Sequence, residues 1–342
     1  MAPSASEWPW VSILISTKDR RADLAKALAS LEAQDYPRDR FEVIVVEETD
    51  RPEAPPGVRY VPIPRERRGF GYTRGVALRH ARAQLVAFID DDCIAEPSWL
   101  RELIAPLRDE STILGVAGAV QVRDANPVGI CENILGFPGG GLKYLWQASG
   151  RVIGTQYLST CNCAYRADVV RRVGGFPHVA PFSGEDYIVG RLVSRLGRCV
   201  YTPRAIVFHK PRGTLWADFR WFIRRGRQEV WLLRHYPDLF ELGAVGLVRT
   251  SLVLRAAAAI GLGHLVGVPA GATLGALLVA YGVVQNARYR FGRQYYRAAW
   301  LPLLLPLTKL AMGLGGEVGR WIEAIAWARS ARWLRRSAPV KP

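Results

Sequence analysis

The sequence has five cysteines, at 93, 131, 161, 163 and 199, and no Cys-x-x-Cys pair among them. Cys161-Asn162-Cys163 is tighter than zinc-ligand spacing, so a structural zinc module is excluded. The odd, scattered set reads as buried, reduced thiols of a cytosolic protein. Also missing are a Gly-x-x-x-x-Gly-Lys-Ser/Thr loop and a Gly-x-Gly-x-x-Gly run after the first apolar stretch. A P-loop ATPase and a dinucleotide dehydrogenase are therefore disfavoured. At the N-terminus Glu7, Trp8 and Pro9 interrupt any apolar core of a leader, and no secretory signal is expected. Acidic residues are scarce, 30 Asp and Glu against 46 Lys and Arg, for a net charge of +16 on 342 residues.

That excess is localised. Residues 1–210 carry 27 Lys and Arg against 24 Asp and Glu, a net of +3, whereas residues 211–342 carry 19 against 6, a net of +13. The basic third is also the most apolar, while nucleic-acid-binding tails are polar. No nucleic-acid partner is expected, and basic plus apolar points to membrane lipids. With 49% hydrophobic residues the chain has ample material for a packed core, which excludes disorder.

What is present begins with short apolar runs separated by helical periodicity. Trp10–Ser16 reads as a strand, and Leu24, Leu28 and Leu31 mark a helix over Arg21–Ala33. Phe41–Val46 is a second strand, Tyr72–Ala83 a helix and Leu85–Ile89 a further strand. Near-continuous Val, Ile and Leu in strands that alternate with helices predict an α/β fold, a doubly wound parallel sheet covered on both faces.

Ligands of such sheets bind beyond the carboxyl ends of the strands, where the polar residues collect. They are Thr17-Lys18-Asp19 after the first strand, Glu47-Glu48 after the second and Asp90-Asp91-Asp92 after the third. Three consecutive aspartates repel one another unless a cation offsets them. Alternate residues of an extended segment share a face, so Asp90 and Asp92 can hold one hard divalent ion, Mg or Mn. Asp91 then faces elsewhere, toward a ribose hydroxyl. Gly69-Phe70-Gly71 precedes a helix and lets the chain enter it closely, with Arg74 one turn in and within reach of a diphosphate.

Together these residues resemble a family 2 glycosyltransferase with the GT-A fold of nucleotide-diphospho-sugar transferases, over about Val11 to Tyr236. The resemblance implies that the strand ending in Ser16 and Thr17 cradles the nucleobase and that Glu47 or Glu48 contacts base or ribose. It also implies that Arg74 approaches the nucleotide. Phe88-Ile89-Asp90-Asp91-Asp92 matches the family's Asp-x-Asp element, which implies Asp92 on the metal and Asp90 or Asp91 on ribose and diphosphate. Cys161–Arg166 with Val173–Phe176 resembles the acceptor-side strand and turn, which places Asn162 near the acceptor. Ser183-Gly184-Glu185-Asp186 resembles the catalytic loop, with Asp186 as base and Glu185 beside it, and His209 matches a histidine that completes the metal site. The family reaction is single displacement with inversion.

Two departures stand out. Glu47-Glu48-Thr49-Asp50 replaces the usual Asp-Asp-Gly-Ser, and Ala217 stands where processive synthases have Gln before Arg220-Trp221. Transfer of one sugar rather than polymerisation is therefore expected. Gly136–Gly150, with Tyr144 and Trp146, reads as a mobile acceptor loop or lid.

The expected organisation is a catalytic domain over 1–236 and membrane-associated helices over 237–342. Trp216–Tyr236 mixes aromatics with five arginines and suits a bilayer interface. Ala244–Val268 and Ala270–Gln285 are expected to form a hairpin about Pro269, and Ala298–Gly316 an interfacial or re-entrant third element. Asn286–Arg297, with four Arg and no acid, belongs on the cytosolic side, as does the catalytic domain. The implied partners are a nucleotide-diphospho-sugar donor, a lipid-linked or glycan acceptor and membrane lipids at the cell membrane. The rival reading is a non-catalytic membrane scaffold on a sugar-nucleotide-binding domain.

Overall fold

The computed structural model describes residues 8–66, 69–177, 184–240 and 243–336. They fall into two compact units, one ending at Pro211 and one beginning at Arg212.

The first unit is built on strands β1 (Val11–Thr17), β2 (Phe41–Glu48), β3 (Arg59–Ile63), β4 (Leu85–Ile89), β5 (Cys93–Ala95), β6 (Ile113–Gln121), β7 (Ile153–Gly154), β8 (Asn162–Arg166) and β9 (Arg198–His209). Its helices are α1 (Arg21–Glu32), α2 (Phe70–His80), α3 (Trp99–Asp109), α4 (Pro127–Ile134), α5 (Gly141–Ala148), α6 (Ala167–Arg172) and α7 (Glu185–Leu196). The strands form one sheet in the order β3-β2-β1-β4-β8-β6-β9-β5, with β7 paired to β9. The first four strands are parallel, as their apolar runs predict. β8 then runs antiparallel to both β4 and β6, so the sheet is mixed beyond its first half.

Alternation along the buried strands feeds two cores. Val11, Ile13 and Ile15 pack with Leu24 and Leu31 of α1 and with Trp99 of α3. Leu14, on the other face, packs with Ile44, Val46 and the α2 residues Val76, Ala77 and Leu78. Both faces are thus covered, the condition under which parallel strands read as continuous hydrophobic runs. Because β1, β2 and β4 are parallel, their carboxyl ends bring Thr17, Glu47, Glu48 and Asp90 to one edge.

The Gly136–Gly150 stretch differs from its expectation as a loop. Gly141–Ala148 is helix α5, with Leu142 and Ala148 buried. The Tyr144 ring meets Tyr157 and Tyr201 edge-on, so apolar packing orders the segment.

The second unit holds α8 (Leu215–His235), α9 (Gly243–Thr250), α10 (Leu252–Leu265), α11 (Ala270–Arg288), α12 (Gly292–Tyr295) and α13 (Leu301–Arg336). Thr214 caps α8 through a 3.1 Å bond from Ala217 N–H. Helix α8, placed by sequence at the end of the first domain, lies along α13 within this unit. A Cβ on Gly226 would stand 2.0 Å from Gly316 O, so glycine is what permits the two backbones to touch. Ion pairs at 3.0 Å, Arg227–Glu323 and Arg320–Glu229, tie the same helices. The third apolar run lies in a single helix, α13, which continues unbroken through Pro306. By length and composition, Ala270–Arg288 and Leu301–Arg329 could each cross a membrane, with mean hydropathies of 1.3 and 1.2.

Candidate active site

The aspartate run follows β4 without interruption, and two of its three carboxylates share one arginine. Asp91 is buried: Thr17 Oγ1 donates to its Oδ2 at 2.7 Å and Arg20 Nη1 to its Oδ1 at 3.2 Å. Burial raises the Asp91 carboxyl to about 6, with Thr17 and Arg20 pulling it down and the flanking aspartates pushing it up. Asp92 accepts a 2.6 Å bond from the same arginine nitrogen. Asp90 accepts from Arg74 Nη2 at 3.0 Å.

β5 pairs antiparallel with β9, and its register sets Cys93 opposite His209. His209 Nε2 consequently lies 3.4 Å from Asp92 Oδ1. Asp90, Asp92 and His209 each offer a ligand atom, all within 4.8 Å of one another. His209 Nδ1 is buried with no hydrogen-bond partner among the described residues. Two carboxylates and an imidazole whose ligand atoms lie this close together form a donor set that fits a divalent ion such as Mn.

Arg74 is buried on α2 and also donates to Glu185 Oε1 at the start of α7. A Cβ on Gly71 would stand 2.0 Å from Pro177 O and 3.4 Å from Glu185 Cβ, so glycine lets α2 approach this close. Burial opposes the Arg74 charge, but Glu185, Asp90 and Asp186 more than offset it and raise its pKa. Glu185 is pushed up to about 7, first by burial and then by Asp186 and Asp90, against the pull of Arg74. Its Oε2 has no partner among the described residues. Asp186, half-buried in the first turn of α7, accepts a 2.8 Å bond from Tyr187 N–H. Ser183 lies outside the described residues.

At the β2 end Glu47 is buried and accepts a 2.5 Å bond from Tyr60 Oη, and Glu48 pairs with Lys18 Nζ at 2.6 Å. Ser16 is half-buried one residue before Thr17.

Two residues expected on the acceptor side are not drawn into this group. Asn162 is buried inside the sheet, where Oδ1 accepts from Trp99 Nε1 at 2.8 Å. Its Nδ2 donates to Ala119 O at 2.9 Å and Ala205 O at 2.8 Å. With these contacts the side chain ties three segments of the core. Trp146 sits on α5, 42% exposed. Arg20, which bonds two of the three aspartates, was missed by the reading of motifs. Its signal was its place in the polar run that follows β1.

A mixed sheet with an Asp-x-Asp element at the end of its fourth strand and a histidine returned beside it defines the GT-A architecture. Residues 12–174 match the Glycosyl transferase family 2 model. It is 24% identical over 240 residues to glycosyltransferase AglE of Haloferax volcanii, covering 67% of this chain and 76% of that one. It is 26% identical over 162 residues to the O-antigen chain rhamnosyltransferase WbaN of Salmonella anatum, covering 46% and 50%. Among solved structures, a mannosyltransferase of Pyrobaculum calidifontis in complex with GDP-mannose and Mn2+ superposes with a TM-score of 0.60 at 20% identity. That match covers 92% of this chain and 89% of the other and shows a shared fold.

Proposed function

We propose that the protein is an inverting, metal-dependent glycosyltransferase that moves one sugar from a nucleotide-diphosphate sugar to an acceptor hydroxyl at the cytosolic face of the cell membrane. The observation that carries this reading is the convergence of Asp90, Asp92 and His209 beside buried Asp91, at the edge where Thr17, Glu47 and Glu48 also end.

In this reading Ser16, Thr17 and one of Glu47 and Glu48 hold base and ribose, and Asp91 is oriented by Thr17 toward the same nucleoside. Asp90, Asp92 and His209 would hold Mn or Mg. The ion supplies stabilisation of the negative charge that grows on the departing diphosphate. Arg74 holds Asp90 and Glu185 in register, with its positive charge facing the same region. Asp186 takes the proton of the acceptor hydroxyl as that oxygen attacks the anomeric carbon from the side opposite the leaving group. No covalent sugar forms on the enzyme, and the configuration inverts.

The C-terminal unit is read as the membrane address. Helix α11 has little of its surface covered and four arginines follow from Arg288 to Arg297, which favours the cytosolic side for that turn. Charged ties along the second half of α13 are costly in hydrocarbon, so that helix fits the interface better than a full crossing. An acceptor that is lipid-linked or a cell-envelope glycan follows from such an address.

Calorimetry with a panel of nucleotide sugars, with and without Mn2+, followed by assays on membrane extracts, tests the proposal. Metal-dependent binding of one donor and product of inverted configuration are expected. No metal-dependent binding of any donor would overturn it. A protease or tag-accessibility assay that finds the C-terminus outside would overturn the topology.

A further inference from the structure

Asp92 divides its two carboxylate oxygens. Oδ1 faces His209 Nε2 at 3.4 Å, and Oδ2 accepts from Arg20 Nη1 at 2.6 Å. The same nitrogen reaches Asp91 Oδ1 at 3.2 Å. Asp90, the other carboxylate of the candidate metal group, carries Arg74 at 3.0 Å. Each carboxylate that would hold a divalent ion therefore already bears a guanidinium.

The two arginines differ in freedom. Arg74 is buried and fixed from two sides, by Asp90 and by buried Glu185. Arg20 has a side chain 51% exposed, and its bonds to both aspartates come from one nitrogen. It sits at the start of α1, directly after Asp19, whose φ of 56° lies in the left-handed region. A divalent ion arriving alone must displace the Asp92 contact or tolerate an adjacent positive charge, and either lowers its affinity. A diphosphate does the reverse, because its oxygens attract a guanidinium and satisfy it bidentately.

We infer that Arg20 is an exchangeable counter-ion of the aspartate edge. It neutralises Asp91 and Asp92 while the donor is absent, and it moves to the diphosphate as the donor enters, leaving Asp92 to the metal ion. Metal and nucleoside diphosphate then bind better together than apart, by the same factor seen from either side. The inference rests on the metal-dependent reading above.

The test titrates Mn2+ into the full-length protein without nucleotide, following the free ion by electron paramagnetic resonance. Wild type, Arg20→Gln, Arg20→Lys and Asp92→Asn are compared. Arg20→Gln should bind Mn2+ about fivefold tighter or more, the scale expected on removing a neighbouring like charge. Arg20→Lys keeps the charge and should stay near wild type. If Arg20 merely holds the aspartates in place, Arg20→Gln should bind Mn2+ more weakly, and an unchanged or weaker affinity overturns the inference.

The wild-type protein gives a second check that needs no variant. Its Mn2+ affinity must rise when UDP or GDP, whichever calorimetry shows to bind, is added. No rise overturns the coupling. Absence of any Mn2+ binding that Asp92→Asn removes overturns the metal reading and this inference with it. Asp92-dependent binding that Arg20→Gln leaves unchanged overturns this inference alone.

Discussion

His209 and Asp92 meet because β9 returns antiparallel to β5, which sets His209 opposite Cys93 and its Nε2 3.4 Å from Asp92 Oδ1. The contact joins the end of a late strand to the turn after β4. A histidine that otherwise reads as structural becomes part of an acidic edge by this pairing alone.

Removing either member should therefore weaken the proposed metal site. His209→Ala and Asp92→Asn are each expected to weaken Mn2+ binding by at least about tenfold, with transfer falling in parallel. Electron paramagnetic resonance titration and a transfer assay measure the two effects. Unaltered Mn2+ affinity in His209→Ala would remove that residue from the site.

Asp186 is expected to act on the acceptor and not on the donor. Asp186→Asn should leave donor binding by calorimetry unchanged and lower transfer by about 10²- to 10⁴-fold, the range for a lost general base. Loss of donor binding instead would reassign the residue.

Glu185 gives stability a pH dependence of definite sign. Its carboxyl rises from an ordinary 4.5 to about 7 in the folded chain, chiefly through burial. The folded state thus holds this proton more tightly than the unfolded chain. The contribution to stability is full below about pH 4.5 and is lost as pH rises through about 7. Thermal midpoints of wild type relative to Glu185→Gln should fall across that window. Parallel curves would mean that the carboxylate stays ionised throughout as the partner of Arg74.

Asn162 should matter to folding and little to turnover. Asn162→Ala leaves Trp99 Nε1, Ala119 O and Ala205 O without their partner. A loss of about 2–4 kcal/mol in denaturant unfolding is expected from unsatisfied buried groups. Unchanged stability with weakened acceptor binding would return the residue to the acceptor side.

In the second unit, Gly226→Val should separate α8 from α13. Its Cβ would lie 2.0 Å from Gly316 O, an approach that no rotamer relieves. Limited proteolysis should then cleave within Leu215–His235, where wild type resists. Equal resistance would show that the helices pack in another way.

Much of the first unit was legible because its signals are local. Val11–Thr17 and Leu85–Ile89 are short buried runs bounded by polar residues, and Leu24 and Leu31 mark the inner face of α1. The polar edge was legible too, since parallel strands must release their carboxyl ends on one side. The antiparallel insertion of β8 was not, because strand direction leaves no mark on a segment as short as Asn162–Arg166. Asn162, which the resemblance places near the acceptor, is seen as a core residue only through its three buried partners.

By itself the sequence determined which residues could do chemistry, through carboxylate density after a buried strand, and which third of the chain combines apolar content with a +13 charge, the basis of the membrane proposal. Tertiary structure decided how those charges are balanced. Arg20 and Arg74 neutralise the aspartates, His209 joins Asp92 across a sheet edge, and Arg227, Glu229, Glu323 and Arg320 pair between two helices. The physical reason is range. Burial and periodicity act between neighbours in the chain, whereas a charge acts on whatever the fold brings within a few ångströms of it.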